Sequence, residues 1–443
     1  MKKIKFSRFL KYYENENKIG VFHQIYPDPI ILNKDVWRMF KNNPLDYPKL
    51  IDIFVGKKLI ASKKEDGQLI IQAKKLLTLK LNHPTILYLM MAQHCNLFCS
   101  YCPIPGIARA KGNSLLSINN AIAGINLWFE HIKSIKQQNP YYLIFYGGEP
   151  LLNFPVIEEV LEYLSNAKSQ MVLPEINLMI VTNGLLLTRK IMELFKKNKV
   201  TVSVGIDGFD LHSNMTRQNG LKTDVSNQLI SKIKIMVKLG IDVSASVSIT
   251  EQNIDFASEF SNHLRKIGIV NFGFNFLRGK ALGALKITPK DYLKAASLAM
   301  LSNYNNSLEE SKEAQVERKV KSFMTNSPFP VECTCYGNQI VIQADGNITN
   351  CPFYRNDIAH ISEVNKDFRI WDTPQVKQWR KRLPLFNDAY LKEKSMSLSG
   401  GGCAWGNIEL MDDPLYINKH QFIFSDIVLK NLIFSQKTEG GIK

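Results

Sequence analysis

The sequence predicts an α/β protein: a partial (β/α)6 barrel, preceded by a small N-terminal α+β module and followed by a C-terminal cysteine-rich domain. Three observations predict it. Between about 85 and 306, apolar runs of strand length alternate with amphipathic stretches of helical period, six times over. Before residue 80 the chain is lysine-rich with short apolar runs, and after 328 Cys, Gly, Asn and Pro punctuate short strands. The expected divisions are 1–80, 81–306, a linker helix over 307–327, 328–415, and a tail over 416–443.

In the N-terminal module, 19–22 and 30–32 read as strands, and 35–40 and 48–56 as short helices, the second closing at Gly56. Residues 59–69 read as a strand pair turning at Asp66-Gly67. The barrel strands are expected at 86–93, 141–146, 176–181, 200–206, 243–249 and 270–276. Helices are expected at 117–136, 155–167, 189–198, 225–239, 254–267 and 289–302. Repeated βα units argue for a parallel sheet with right-handed crossovers. Six units instead of eight leave the barrel open, with working residues at the C-terminal ends of its strands. Beyond the barrel, 309–321 is a charged linker helix, 339–343 and 348–350 form a hairpin about Asp345-Gly346, and 422–434 is an apolar helix or strand.

Composition bounds the function classes. The chain of 443 residues is 45% hydrophobic and 22% charged, an ordinary globular balance. Its net charge of +16 favours solubility or an acidic partner, but no common nucleic-acid motif is present, so no nucleic-acid partner is expected. Residues 1–14 are basic without an apolar core, and the longest apolar run, 86–92, is too short to cross a bilayer. No signal peptide and no membrane are therefore expected, and the location is cytoplasmic. Seven cysteines fall in two groups, which in such a compartment points to metal binding and not to disulfides.

Cys95, Cys99 and Cys102 directly follow the first barrel strand. Three thiolates at this spacing can wrap one cuboidal cluster and leave one iron open, where a cofactor can chelate. A zinc site completed by the adjacent His94 is the rival, although structural zinc more usually presents paired C-x-x-C knuckles. Cys333, Cys335, Cys351 and Cys403 form the second group, which the expected hairpin draws together. Four thiolates suit zinc or a [4Fe–4S] cluster, and spacing does not choose. Cys333 and Cys335 are close for two ligands of one cube, which leaves one of them a candidate free thiol.

CxxxCxxC after a first strand, with Tyr101 before the last cysteine, resembles the signature of the radical S-adenosylmethionine (SAM) superfamily. Gly147-Gly148-Glu149-Pro150 after the second strand looks like that family's GGEP motif, whose loop holds the amino group of the cofactor's methionine moiety. Two glycines there also let a backbone approach a ligand closely. Asp207-Gly208 with His212 and Arg217 is similar to the family's S-x-D-G…H…R stretch, with Gly205 where the serine usually stands. The resemblance carries Arg217 over as a cofactor contact and not His212. Cys335 through Gly346 to Cys351, then Cys403, resembles the SPASM or twitch extension, with cysteines for one auxiliary cluster and not two.

The resemblance implies a radical SAM cluster, one auxiliary [4Fe–4S] cluster and S-adenosylmethionine. It implies reductive cleavage of the cofactor to a 5′-deoxyadenosyl radical, hydrogen abstraction, and an electron donor such as flavodoxin or ferredoxin. Pro352 stands where sulfatase-maturing relatives carry an aspartate base, which argues against that activity. The N-terminal module weakly resembles leader-binding domains of enzymes that mature ribosomal peptides. A precursor peptide with a leader is therefore the expected partner, and an intramolecular carbon–carbon or thioether crosslink the expected product. Epimerisation and cofactor or small-molecule synthesis are the alternatives. Loss of residues 1–80 is expected to abolish peptide binding and spare small-molecule turnover.

Overall fold

The computed structural model describes residues 4–102, 104, 114–133, 140–170, 173–210, 212–217, 225–306 and 313–435. The N-terminal module opens with β1 (Leu10–Asn15), β2 (Lys18–His23) and β3 (Ile30–Asn33), an antiparallel meander in the order β1-β2-β3. Helices α1 (Lys34–Asn42) and α2 (Pro48–Gly56) close over its apolar face. Trp37, Phe40 and Phe54 pack there with Ile19 and Val21.

The expected strand pair over 59–69 does not form. Helix α3 runs from Lys63 to Leu81 in its place. Ser62 caps it in a capping box: Ser62 Oγ accepts from Glu65 N at 3.3 Å and Glu65 Oε2 accepts from Ser62 N at 2.7 Å. Leu69, Ala73, Leu77 and Leu81, four residues apart, form its buried face. Asp66, read as a turn residue, accepts from Ser7 Oγ at 2.7 Å and from Arg8 N at 3.1 Å. Gly67 has nothing within 4 Å of where a side chain would start, so no turn needs it.

The barrel strands are β4 (Ile86–Ala92), β5 (Tyr141–Gly147), β6 (Ile176–Thr182), β7 (Val200–Gly205), β8 (Val243–Ser248) and β9 (Asn271–Asn275). Each pairs in parallel with the next. Helices α4 (Ile118–Ile132), α5 (Phe154–Gln170), α6 (Arg189–Lys197) and α7 (Ser226–Lys238) lie where the periodicity put them; of 117–136, residues 134–136 lie outside the described residues. The helix expected over 254–267 begins late, as α8 (Phe260–Lys266). Asn253 is the reason: its amide donates to Asp207 O and Ser248 O, both at 2.8 Å, and pins the preceding segment as a loop. A short α9 (Gly279–Gly283) and then α10 (Pro289–Asn305) follow the last strand.

The linker forms α11 (Ala314–Met324); its expected start at 309–312 lies outside the described residues. The expected hairpin is β10 (Gln339–Ile342) with β11 (Asn347–Thr349), antiparallel, and β12 (Ala359–His360) adds beyond it. Strand β10 also pairs in parallel with β4, Gln339 opposite Ile86 and Ile342 opposite Leu89. The result is one nine-stranded sheet in the order β12-β11-β10-β4-β5-β6-β7-β8-β9. The cysteine-rich region thus extends the open edge of the barrel. Helices α12 (Pro374–Arg380), α13 (Ala404–Met411) and α14 (Phe422–Ser435) follow.

Two packings tie the ends to this body. Ile433 of α14 lies against Gly20 of β2, where an added methyl would meet it at 2.3 Å. Phe9, Ile25, Leu77 and Leu81 share one core with Cys335, Tyr336, Cys351 and Trp379. The Gln24 amide donates to Leu391 O at 3.0 Å and Glu393 O at 2.6 Å. Residues 1–80 therefore build part of the second cysteine region, and the deletion expected to spare turnover would open that core.

Candidate functional site

The first cysteine loop leaves the C-terminal end of β4 and is clamped by the Gly147-Gly148 loop after β5. Gly148 N donates to Ala92 O at 2.8 Å and Glu149 N to His94 O at 3.0 Å. A methyl on Gly148 would sit 2.1 Å from His94 O, and one on Gly147 2.5 Å from Ala92 O. The two glycines thus serve a close backbone approach to the cysteine loop itself. Glu149 is 0% exposed. Its carboxylate accepts from Thr182 Oγ1 at 2.6 Å, Asn183 N at 2.8 Å and Leu151 N at 3.0 Å. Burial raises its pKa, and these donors oppose the rise. Glu149 is a tie between the ends of β5 and β6, with Pro150 buried behind it.

Asn183, just past the C-terminal end of β6, is not among the site residues the sequence singles out. The Asn183 amide donates to Asn96 Oδ1 at 2.7 Å and reaches Cys95 Sγ at 3.5 Å, and Leu97 N donates to the same sulfur at 3.3 Å. Burial pushes the Cys95 thiol up to about 11 and Cys102 up to about 12, and raises Cys99.

Tyr101, Asp207 and Arg217 form a second clamp. Tyr101 Oη donates to Asp207 Oδ2 at 2.5 Å and accepts from Arg217 Nη1 at 2.8 Å. Asp207, 0% exposed, also accepts from Ser248 N at 2.9 Å. Ser100 N donates to Thr216 O at 3.0 Å, so the cysteine loop and the Arg217 loop are joined by backbone as well. Gly205 explains the missing serine: a methyl there would meet Arg217 Nη2 at 2.5 Å. Arg217 occupies the space a side chain at 205 would take. Asp207 is the residue of this clamp to which no role was assigned, although its motif was visible. His212 is exposed.

Cys333, Cys335, Cys351 and Cys403 all line one cavity of about 990 Å3, together with Tyr88, Arg278, Phe353 and Trp405. Its lining takes in the second cysteine group and not the first. Cys333 Sγ lies 3.0 Å from Cys335 Sγ. That contact favours Cys333 as the thiolate, while burial holds Cys335 protonated. Asn350 Nδ2 donates to Cys335 O at 3.1 Å and carries the hairpin to that loop. Cys403 caps α13, its sulfur accepting from Gly406 N at 3.3 Å. Between the groups, Tyr88, Tyr146 and Phe353 pack with Cys102 around Met90 and Val341. The Tyr146 and Phe353 ring centroids are 5.9 Å apart, and those of Phe353 and Trp405 5.6 Å.

Residues 89–258 match the model of the radical SAM superfamily. The chain carries a radical SAM domain. It is 25% identical over 294 residues to the uncharacterized protein MJ0907 of Methanocaldococcus jannaschii, covering 66% of this chain and 92% of that protein. It is 29% identical over 214 residues to the radical SAM cyclopropyl synthase TigE of Paramaledivibacter caminithermalis, covering 46% of this chain and 42% of that one. It is 25% identical over 346 residues to molybdenum cofactor biosynthesis protein 1 of Dictyostelium discoideum, covering 75% and 51%. Among solved structures, anSMEcpe with bound AdoMet and Cp18Cys peptide superposes with a TM-score of 0.63 at 17% identity, over 79% of this chain and 98% of that one. Streptococcus suis SuiB bound to precursor peptide SuiA gives 0.51 at 15%, over 94% and 99%. These likenesses establish the partial-barrel fold.

A radical SAM domain implies a [4Fe–4S] cluster and S-adenosylmethionine. The donors fit. Among the described residues, no three Cys, His, Asp or Glu side chains gather as for a single metal ion. The first group offers three thiols on one loop with an amide donor at Cys95, the usual way a cluster's sulfurs are tuned. No helix among the described residues is long and apolar enough to cross a membrane.

Proposed function

We propose that this radical SAM enzyme is a peptide maturase that forms an intramolecular carbon–carbon or thioether crosslink in a ribosomally made precursor. The observation that carries this is the second cysteine group, four thiols on one cavity at the open edge of the radical SAM barrel. When bound, a radical SAM cluster supplies cleavage of S-adenosylmethionine and hydrogen abstraction; the chain supplies position and exclusion of water.

Cys95, Cys99 and Cys102 would hold the first cluster, with Asn183 orienting Cys95. The backbone of the Gly147-Gly148 loop and the Tyr101–Asp207–Arg217 clamp would border the cofactor. Cys333, Cys335, Cys351 and Cys403 would hold one auxiliary [4Fe–4S] cluster, separated from the first by Tyr88, Tyr146 and Phe353. Among the described residues β1 and β3 pair only with β2, so a leader strand can add at either edge. The net charge of +16 suits an acidic leader. The anSMEcpe–Cp18Cys peptide and SuiB–SuiA complexes support a peptide substrate. The likeness to molybdenum cofactor biosynthesis protein 1 favours a second reading, small-molecule cofactor synthesis.

The deciding experiment is anaerobic co-expression with short peptides encoded beside the gene, with flavodoxin or ferredoxin as donor, followed by high-resolution mass measurement. A loss of about 2 Da, two hydrogens, supports an oxidative crosslink. An unchanged mass with deuterium entering from solvent would replace it with epimerisation. Unchanged mass and no deuterium, with S-adenosylmethionine cleaved, would move the assignment to a small molecule.

A further inference from the structure

The cavity beside the second cysteine group has a wall of one sign. Among the described residues that line it, the side chains charged at neutral pH are Lys80, Arg278, Arg318, Lys321 and a single acid, Glu332. Four cations against one carboxylate is a steeper bias than the chain's own 56 Lys and Arg against 40 Asp and Glu. Glu332 does not balance them, because it pairs with buried Lys319, outside the lining, and accepts from Gly400 N at 2.9 Å. Lys321 pairs with Glu317 at 3.4 Å, which leaves three cations.

The fold orients these three without neutralising them. Arg318, on α11, donates from Nη1 to Val331 O at 3.2 Å and to Glu332 O at 3.3 Å. Lys80, at the end of α3, donates from Nζ to Ser327 Oγ at 2.9 Å and to Pro328 O at 3.1 Å. Both are thus fastened by neutral acceptors to successive points of the segment that runs into Cys333. A guanidinium has five donors and an ammonium three, so each keeps donors for a ligand. Arg278, just after β9, is exposed. A concave wall of one sign concentrates its field in the space it encloses, where oppositely charged groups collect.

The rest of the lining narrows the ligand. Phe276, Trp405 and Phe424 stand among the cations. Tyr88 and Phe353 line the cavity and also pack in the cluster that holds Cys102, so one aromatic layer parts it from the first cysteine group. A phosphate site gathers its donors at one point, commonly a helix N-terminus. Here the cations come from three elements, and aromatic side chains share the wall. Carboxylates spaced along a chain, with apolar groups between them, match that arrangement.

We propose that the segment of the substrate peptide that enters this cavity is acidic, its carboxylates binding Lys80, Arg278 and Arg318. The proposal rests on the peptide reading above and names the chemistry of the segment at the cysteines, apart from any leader. The ion pairs formed there are partly enclosed, so salt screens them less than pairs on an open surface.

The test uses full-length protein reconstituted anaerobically with iron and sulfide. The probes are three capped nonapeptides of Gly, Ala and Tyr that differ only in carrying two glutamates, two glutamines or two lysines, with inorganic triphosphate as the small anion. Binding is followed by calorimetric titration. The glutamate peptide should bind about tenfold more tightly than the glutamine peptide, and the lysine peptide more weakly than either. Arg278 is exposed, so Arg278→Gln removes charge without opening the core. It should weaken the glutamate peptide by about three- to tenfold and leave the glutamine peptide unchanged, and Lys80→Gln should do the same. Lys190→Gln on α6 removes an equal charge outside the cavity and should change neither. A glutamate peptide that binds no more tightly than its glutamine counterpart overturns the proposal. So does an equal loss with Lys190→Gln, which would assign the attraction to net charge. Triphosphate binding more tightly than the glutamate peptide, and weakened by the same variants, would replace the peptide segment with a small anionic molecule. None of these readings uses the crosslink, so the mass measurement on the encoded peptide decides the maturase assignment separately.

Discussion

Asn183 holds the first cysteine loop at two points, Asn96 and the Cys95 sulfur. Amide donors to a cluster sulfur favour the reduced state and fix the ligand's orientation. Asn183→Leu should therefore slow S-adenosylmethionine cleavage by roughly 10–100-fold, with a lower midpoint at full iron content. A wild-type rate and midpoint would leave Asn183 a packing residue. Cys99→Ala should abolish cleavage outright, and full activity would remove the first group from the chemistry. His23 and His131 make a separate prediction about acid stability. They are 1% and 3% exposed, and burial lowers the pKa of each to about 4. His23 Nδ1 accepts from Ile25 N and Tyr26 N, so the neutral ring is the folded form. A histidine with a depressed folded pKa leaves the unfolded chain holding more protons between the two values. Stability is therefore intact above about pH 6.5 and falls toward pH 4, by roughly 2–3 kcal/mol for each ring. Chemical denaturation across that range checks it, and His131→Asn should flatten part of the slope.

At the scale of elements, the glycines of the β5 loop behave as spacers. Gly148→Ala would drive a methyl into His94 O, a backbone atom that cannot swing aside. A cost of about 1–3 kcal/mol is expected, with loss of iron from the first group. Thermal unfolding and iron content measure the two effects, and an unchanged protein would mean the loop is free to withdraw. Helix α3 gives a milder case. Ser62→Ala removes one side of its capping box and should cost about 1 kcal/mol. Much of the element pattern was legible because each barrel strand and helix has its own period. The strand pair over 59–69 was misread because Asp66-Gly67 carries a turn signal. The capping box at Ser62 and the four-residue spacing of Leu69, Ala73, Leu77 and Leu81 outweigh it.

For the whole molecule, one sheet runs from the cysteine hairpin through every barrel strand. The N-terminal helix α3 and the C-terminal helix α14 pack on this body from the chain's two ends. Removing residues 1–80 should therefore expose Leu383, Tyr336 and Trp379 and strip iron from the second group. Retained iron at both groups would show that the module is an accessory. Peptide recognition is better tested by changes at the open edges of β1 and β3, which leave that shared core intact.

By itself the sequence determined the α/β alternation, the two cysteine groups and the motifs at strand ends, because period and spacing are local properties of the chain. Cys95, Cys99 and Cys102 sit within one turn of loop, and no folding is needed to see them together. Only the tertiary structure decided that β10 joins β4, since parallel pairing across some 250 residues leaves no local trace. It alone gathered Cys333, Cys335, Cys351 and Cys403 on one cavity and placed Asn183 beside Cys95. Those contacts join segments far apart in the chain, and long-range electrostatics and hydrogen bonding have no sequence period by which to be read.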